Sequence, residues 1–147
     1  MRNADREMRD ERRRETSQVI ALGYSATQNP QMKNDLEIRT KKFALAVIDL
    51  VSKLRKTKVA DVIGYQLLRS GTSIGANYRE AARALSHDDF IHKIGICEKE
   101  AAETQYWLEL LVESRTVDAD SHKLIRTEVG ELLAMLVASG RTAKSRR

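Results

Sequence analysis

The chain has 147 residues, 41% hydrophobic and 32% charged, a composition that suits one folded domain with a sizeable core and not a disordered chain. No apolar run approaches the roughly 20 residues of a membrane span, and the single cysteine, Cys97, excludes an intrachain disulfide and a cysteine-based zinc site within the chain. The formal net charge is +5, and one proline with seven glycines leaves few breaks, which favours helices over a many-stranded β fold.

Residues 1–33 form a charged N-terminal extension. Arg6–Glu15 is almost entirely charged, and Ala21–Pro30 mixes Gly, Ser, Thr, Gln and Asn around the only proline. So little apolar surface predicts a disordered or loosely helical segment. It leads into charge and not into an apolar signal segment, so the expected location is the cytoplasm. Met32, just ahead of the patterned region, is by hypothesis a second translation start. N-terminal sequencing that found Met1 in the native protein would refute it.

The domain is expected over 34–140. A first helix is predicted over 35–54, with Asn34 as N-cap, Glu37 at capping-box spacing, and Phe43, Val47, Leu50 and Leu54 on one apolar stripe. Thr57 should cap a second helix over 59–85. Its apolar face (Val62, Ile63, Leu67, Ile74, Tyr78, Leu85) keeps phase across Gly71 and Gly75. That phase argues for a continuous helix whose small residues let a neighbour approach, against the cost of roughly 1 kcal/mol per interior glycine. Ser86-His87-Asp88-Asp89 is a capping box opening a third helix over 87–114, with Phe90, Ile94, Cys97, Ala101, Leu108 and Leu111 in line. A fourth helix over 118–139 carries Ile125, Val129, Leu132 and Leu136, with Gly140 as its C′ residue and a basic tail over 141–147. Four amphipathic helices with short connections imply an all-α, antiparallel up-and-down four-helix bundle.

Reactive groups do not converge in the pattern. His87 and His92 are five residues apart, which is not a same-face ligand pair, and no HExxH or Glu-x-x-His spacing occurs with His122 or either of them. Ser86-His87-Asp88 is explained by capping, because catalytic triads are built from residues that meet in space. Cys97 sits on the apolar stripe as a structural thiol. Gly71-Thr72-Ser73-Ile74-Gly75 lacks the Gly-Lys-Ser/Thr of a phosphate loop. No catalytic residue, metal or cofactor is expected, and the chain reads as a non-enzyme.

Charge is uneven along the chain. Residues 39–58 carry seven Lys/Arg against one acid, residues 86–120 nine acids against three Lys/Arg, and 141–147 four Lys/Arg. These are either solvated faces that neutralise one another or a basic surface for phosphates. The second helix also carries a polar stripe, Arg69, Ser73, Asn77 and Glu80, and the third a matching ribbon, Glu100, Glu103 and Trp107. Arg69 is expected to pair with Glu100 or Glu103 across a helix or subunit contact.

Three stretches carry a resemblance: Leu67–Ala81, Ser86–Ile94 and Lys99–Leu111. Over roughly Met32–Ser139 they resemble the bacterial four-helix bundle family, also called the 23S rRNA intervening-sequence protein family. The resemblance implies a four-helix bundle and a homo-oligomer, a five-fold ring in relatives. It implies no catalytic residues. A related branch comprises accessory proteins of diversity-generating retroelements, which bind nucleic acid and a reverse transcriptase through a basic ring surface. A basic first helix and an acidic third helix would complement each other in a head-to-tail ring.

Two functions are compatible with this sequence. One is non-enzymatic binding of structured RNA or an RNA–DNA intermediate through phosphate contacts from Lys53, Arg55, Lys56 and Lys58, with Arg141, Lys144, Arg146 and Arg147 from the tail. With only 5% aromatic residues, little base stacking is expected. The other is an interaction adaptor that presents a surface to a nucleic-acid enzyme such as a reverse transcriptase.

Overall fold

A computed structural model of the chain describes residues 7–8 and 30–146. The expectations for the N-terminal extension up to residue 29, and for Arg147, lie outside the described residues. Four helices make up the described domain: α1 (Pro30–Ser52), α2 (Lys58–Ala82), α3 (His87–Glu113) and α4 (Lys123–Ser145). They run up and down in sequence, each packed along the next, whereas α1 and α4 touch only sparsely. The α1–α2 and α3–α4 connections therefore share one end of the bundle. The α2–α3 turn, the start of α1 and the end of α4 share the other. The chain is an all-α four-helix bundle.

Local chemistry sets most helix starts. Thr57 is extended (φ −135°, ψ 158°) and its hydroxyl accepts the Ala60 N–H at 3.1 Å. Ser86 does the same for Asp89 at 3.1 Å, and the Asp89 carboxylate accepts the Leu85 N–H at 3.3 Å. The start of α1 differs from the expected one. Proline suits a helix's first turn because its missing N–H would have no partner there, so α1 begins at Pro30 and Asn34 lies inside it.

The last helix is displaced at both ends from the expected 118–139. Asp118 does cap, but it caps an irregular turn: its carboxylate accepts the Ser121 N–H (2.8 Å) and hydroxyl (2.6 Å), and α4 starts after that turn. Those hydrogen bonds hold the Asp118 carboxyl below the usual carboxylate range. Gly140 does not end α4. It lies buried within it, where a Cβ would stand 2.5 Å from Glu98 Oε1 and 3.4 Å from Ile94 Cγ2, so its bareness lets α3 approach. The supposed tail is accordingly helical to Ser145, with Thr142 and Ala143 buried.

The core is continuous. Val47, Leu67, Ile74, Ile94, Leu108, Leu111, Leu132 and Leu136 are fully enclosed, with Phe43, Tyr78 and Cys97 beside them. Helix α2 runs unbroken through its glycines, and they face α1. A Cβ on Gly71 would lie 2.9 Å from Val47 Cγ2, one on Gly75 3.2 Å from Thr40 Oγ1, and one on Gly64 3.0 Å from Leu54 Cδ1. Thr40 tolerates full burial because its hydroxyl donates to the Leu36 carbonyl at 2.7 Å.

On the open side of the bundle, Arg39 ties α1 to α4. It donates from Nε and Nη2 to the two oxygens of Glu128 (2.7 and 2.9 Å), from Nη2 to Glu131, and from Nη1 to Met135 Sδ at 3.3 Å. Hydrogen bonding to Glu128 is the main reason that the guanidinium holds its proton more firmly than usual.

Two outcomes follow. Gly71→Ala should destabilise the protein by about 1–3 kcal/mol through overpacking against Val47. Gly95→Ala, which meets nothing within 4 Å, should stabilise it by about 0.5–1 kcal/mol through helix propensity. Urea unfolding of both variants checks the pair. Cys97 is fully enclosed, and burial pushes its thiol up to about 12. It should be inert to Ellman's reagent at pH 8 in the native protein and react fully in denaturant. Rapid native labelling would place it elsewhere.

Candidate nucleic-acid interface

The polar stripe of α2 meets the ribbon of α3 within one subunit. Arg69 Nη2 donates to Glu103 Oε1 at 2.5 Å, Nη1 lies 4.0 Å from Glu100 Oε1, and Nε reaches Gln66 at 3.4 Å. Trp107 Nε1 donates to the same Glu103 oxygen at 3.2 Å. Ser73 and Asn77 turn inward on their own helix, donating to the carbonyls of Arg69 (2.6 Å) and Ser73 (2.8 Å). Glu80 instead takes Lys93, at 2.8 Å. Beneath this layer the Thr104 and Ser70 hydroxyls meet at 3.0 Å. Glu100 Oε2 is buried without a hydrogen-bond partner. The arrangement is a half-buried tie between α2 and α3 with no pair of groups poised for proton transfer.

The histidines at the helix starts serve the backbone. His87 Nε2 lies 2.6 Å from the Ala143 carbonyl, docking the start of α3 on the end of α4, and His122 Nδ1 lies 2.6 Å from the Asp118 carbonyl. Among the described residues no group of three or more His, Cys, Asp or Glu is placed to hold a metal ion.

The proposed phosphate contacts fall at opposite ends of the bundle. Lys53, Arg55, Lys56 and Lys58 are all exposed on and around the α1–α2 turn, which Thr57 organises as the α2 cap. Lys53 pairs with Asp49 at 2.9 Å, both largely in water, a contact of little energetic consequence. Among the described residues Arg55, Lys56 and Lys58 have no ion-pair partner. Arg141 and Lys144 are exposed on α4 and Arg146 just beyond it, a helix length away, roughly 35 Å. Arg141 and Lys144 also face Glu98, whose carboxyl burial pushes up and these two cations pull down. One subunit therefore presents two separate basic clusters.

At the end that carries the α1–α2 turn, the α1–α2 edge is basic, while the opposite α3–α4 edge is mixed, exposing Glu113, Asp118 and Asp120 beside Arg115 and Lys123. Sequence reasoning missed the Arg39 cluster, because its partners lie 89 and 92 residues away. It also missed an outward apolar stripe on α1, Ile38 (47% exposed), Leu45 (56%) and Ile48 (46%). The only signal for that stripe is that these three alternate in phase with the core line.

Charge reversal at Arg69 would set three carboxylates together. Arg69→Glu should cost about 1–3 kcal/mol, at the low end because the pair is partly exposed, and should shift the emission of Trp107. Unchanged melting temperature and fluorescence would show that the tie is inconsequential.

No protein of curated function matches this chain. A family model described as 23S rRNA-intervening sequence protein matches residues 32–138. The fold is similar to that of a crystal structure of a protein of unknown function from the S23 ribosomal protein family of Bacteroides thetaiotaomicron. The identity is 38% and the TM-score 0.69, with 74% of this chain and 97% of the other covered. The chain belongs to the 23S rRNA-intervening sequence protein family.

Proposed function

We propose that this protein is a non-enzymatic, self-associating bundle that binds the phosphate backbone of structured RNA or an RNA–DNA intermediate through its α1–α2 turn. The observation that carries this reading is the turn itself: four exposed cations within six residues, three of them without an ion-pair partner among the described residues. The family name, which refers to sequences inserted in 23S rRNA, adds a nucleic-acid context. Contacts of this kind position phosphates and read little sequence. One subunit offers few of them, so affinity rests on repetition, and the homo-oligomer supplies it.

Self-association is supported by the Ile38–Leu45–Ile48 stripe, flanked by Lys41 and Lys42. The outward face of α3, with Gly95, Lys99, Ala102 and Tyr106 ahead of Glu109 and Glu113, offers small and apolar complements on a second copy, with the two acids at its far end. A head-to-tail contact of these two faces closes into a ring when its rotation permits, five-fold by the resemblance noted above. A second reading, an adaptor for an enzyme such as a reverse transcriptase, is favoured by the exposed Val59, Val62 and Tyr65 beside the basic turn. Under it the cluster at Arg141, Lys144 and Arg146 would serve a different partner from the turn.

The test is an electrophoretic shift over a salt series with structured RNA and duplex DNA, on protein whose mass is fixed by light scattering. Duplex affinity should fall linearly in log–log form. Replacing Lys53, Arg55, Lys56 and Lys58 with Ala should lower the slope by up to about 3–4 per subunit engaged. No shift at low salt with an intact oligomer would overturn phosphate binding and favour the adaptor. A monomer by light scattering would overturn self-association.

A further inference from the structure

We infer that the open seam between α1 and α4 is a binding cleft for a linear amphipathic carboxylate, an extended apolar chain ending in an anionic head. The seam encloses about 890 Å³, within the range of small-ligand sites. Its apolar lining comes from Phe43 and Leu50 of α1, Leu54 of the α1–α2 turn, Val117 of the α3–α4 connection, and Leu124 and Ile125 of α4. Leu124 stands on the cleft wall and is 73% exposed.

The cleft has a structural cause. The glycine face of α2 draws α1 to itself, and the Arg39 cluster pins α1 to α4 only at one level. Beyond that pin, toward the end of α1, the two helices leave the apolar floor uncovered.

Charge selects the class of occupant. Lys42, Lys53 and Arg55 line the cleft beside Arg39. The two acids that line it, Asp49 and Glu128, are already held by Lys53 and Arg39. The lining is thus net positive, with Arg55 and Lys42 carrying no ion pair among the described residues. Size selects the shape. Phe43 to Ser52 spans roughly 14 Å of helix, so the cleft averages about 65 Å² in cross-section. That admits an extended chain, whereas a docked helix, about 10–12 Å across, needs more. The head would sit near Lys53 and Arg55, with the chain running toward Phe43 and the Arg39 pin as its stop.

The test uses the full-length protein and sodium dodecanoate below its micelle concentration, followed by isothermal titration calorimetry, with light scattering for assembly state. Ala46 lines the cleft, lies outside the α1–α2 turn and outside the stripe proposed for self-association, and is exposed, so its variant leaves the fold and the proposed phosphate contacts intact. Saturable binding of one dodecanoate per subunit is expected. Decanoate, two methylenes shorter, should bind roughly tenfold more weakly. Dodecylammonium, with the opposite charge, should bind at least tenfold more weakly, and Ala46→Trp, which fills the cleft, should abolish binding. Equal binding of dodecylammonium, or dodecanoate binding that survives Ala46→Trp, overturns the inference. Absence of binding overturns it too. If Ala46→Trp then also changes the oligomer mass, the cleft belongs to a second copy. If it does not, the cleft is left to a partner protein. Each result is separable from the nucleic-acid shift, because Ala46→Trp changes the cleft and removes none of the turn's cations.

Discussion

The close approach of α1 to α2 is the constraint on which the rest of the bundle depends. Three glycines, Gly64, Gly71 and Gly75, lie on one face of α2, and Leu54 just past α1 with Val47 and Thr40 of α1 occupy the space where their side chains would be. Each glycine weakens the helix by its backbone entropy, and the enclosed packing of Val47 against α2 offsets that cost. Helix α1 is thereby committed to one neighbour. On the far side Gly140 plays a similar part for α3 and α4, where Glu98 and Ile94 press on a bare helix surface. Tight packing at these two places leaves the fourth side of the square, α1 against α4, to be held by polar groups. The Arg39 cluster is the answer at that side. A guanidinium suits it because its planar fork meets Glu128 with two parallel hydrogen bonds while reaching Glu131.

Features set by neighbouring residues were legible in the sequence. The stripe Phe43, Val47, Leu50 and Leu54 reads as a core line from its spacing alone, and three of these four are buried, with Leu54 packed at the edge. Ser86 and Thr57 announce helix starts because a capping hydroxyl acts three residues away. The unbroken phase of α2 across its glycines is also local information. What was not legible depends on which helices come together. Gly140 has the sequence signature of a helix stop, and only the presence of Glu98 on α3 shows that its bareness serves packing. Asp118 is the expected start of the last helix, but the turn that its carboxylate closes is not yet α-helical. Arg39 looks like one more cation in a basic segment until α4 supplies Glu128 and Glu131.

The basic residues show the same limit in the candidate site. Lys53–Lys58 and Arg141–Arg146 are equivalent as entries in a charge map, yet the up-and-down path sets them a helix length apart. Any single ligand that touched both on one subunit would have to span the bundle. The turn cluster is the better candidate of the two for a physical reason: it sits on a short connection framed by the Thr57 cap, so its cations are clustered by the backbone and not by chance of rotamer.

The turn and the α1–α4 cleft share Lys53 and Arg55. A cation drawn inward to a carboxylate head is withdrawn from the outer surface, because one ammonium or guanidinium cannot neutralise two anions at full strength in water. If both sites are occupied as proposed, an occupied cleft leaves Lys56 and Lys58 as the turn's remaining phosphate contacts. Since each phosphate contact contributes separately to the salt-dependent term, losing two per subunit in a symmetric assembly would weaken nucleic-acid binding far more than the same loss in a monomer. By linkage the effect is reciprocal: bound nucleic acid would lower the affinity of the cleft for its anion by the same factor. Two modest sites placed at one end of one helix thus form a competitive pair, and the geometry responsible is the short path from Leu50 to Lys58 at the end of α1.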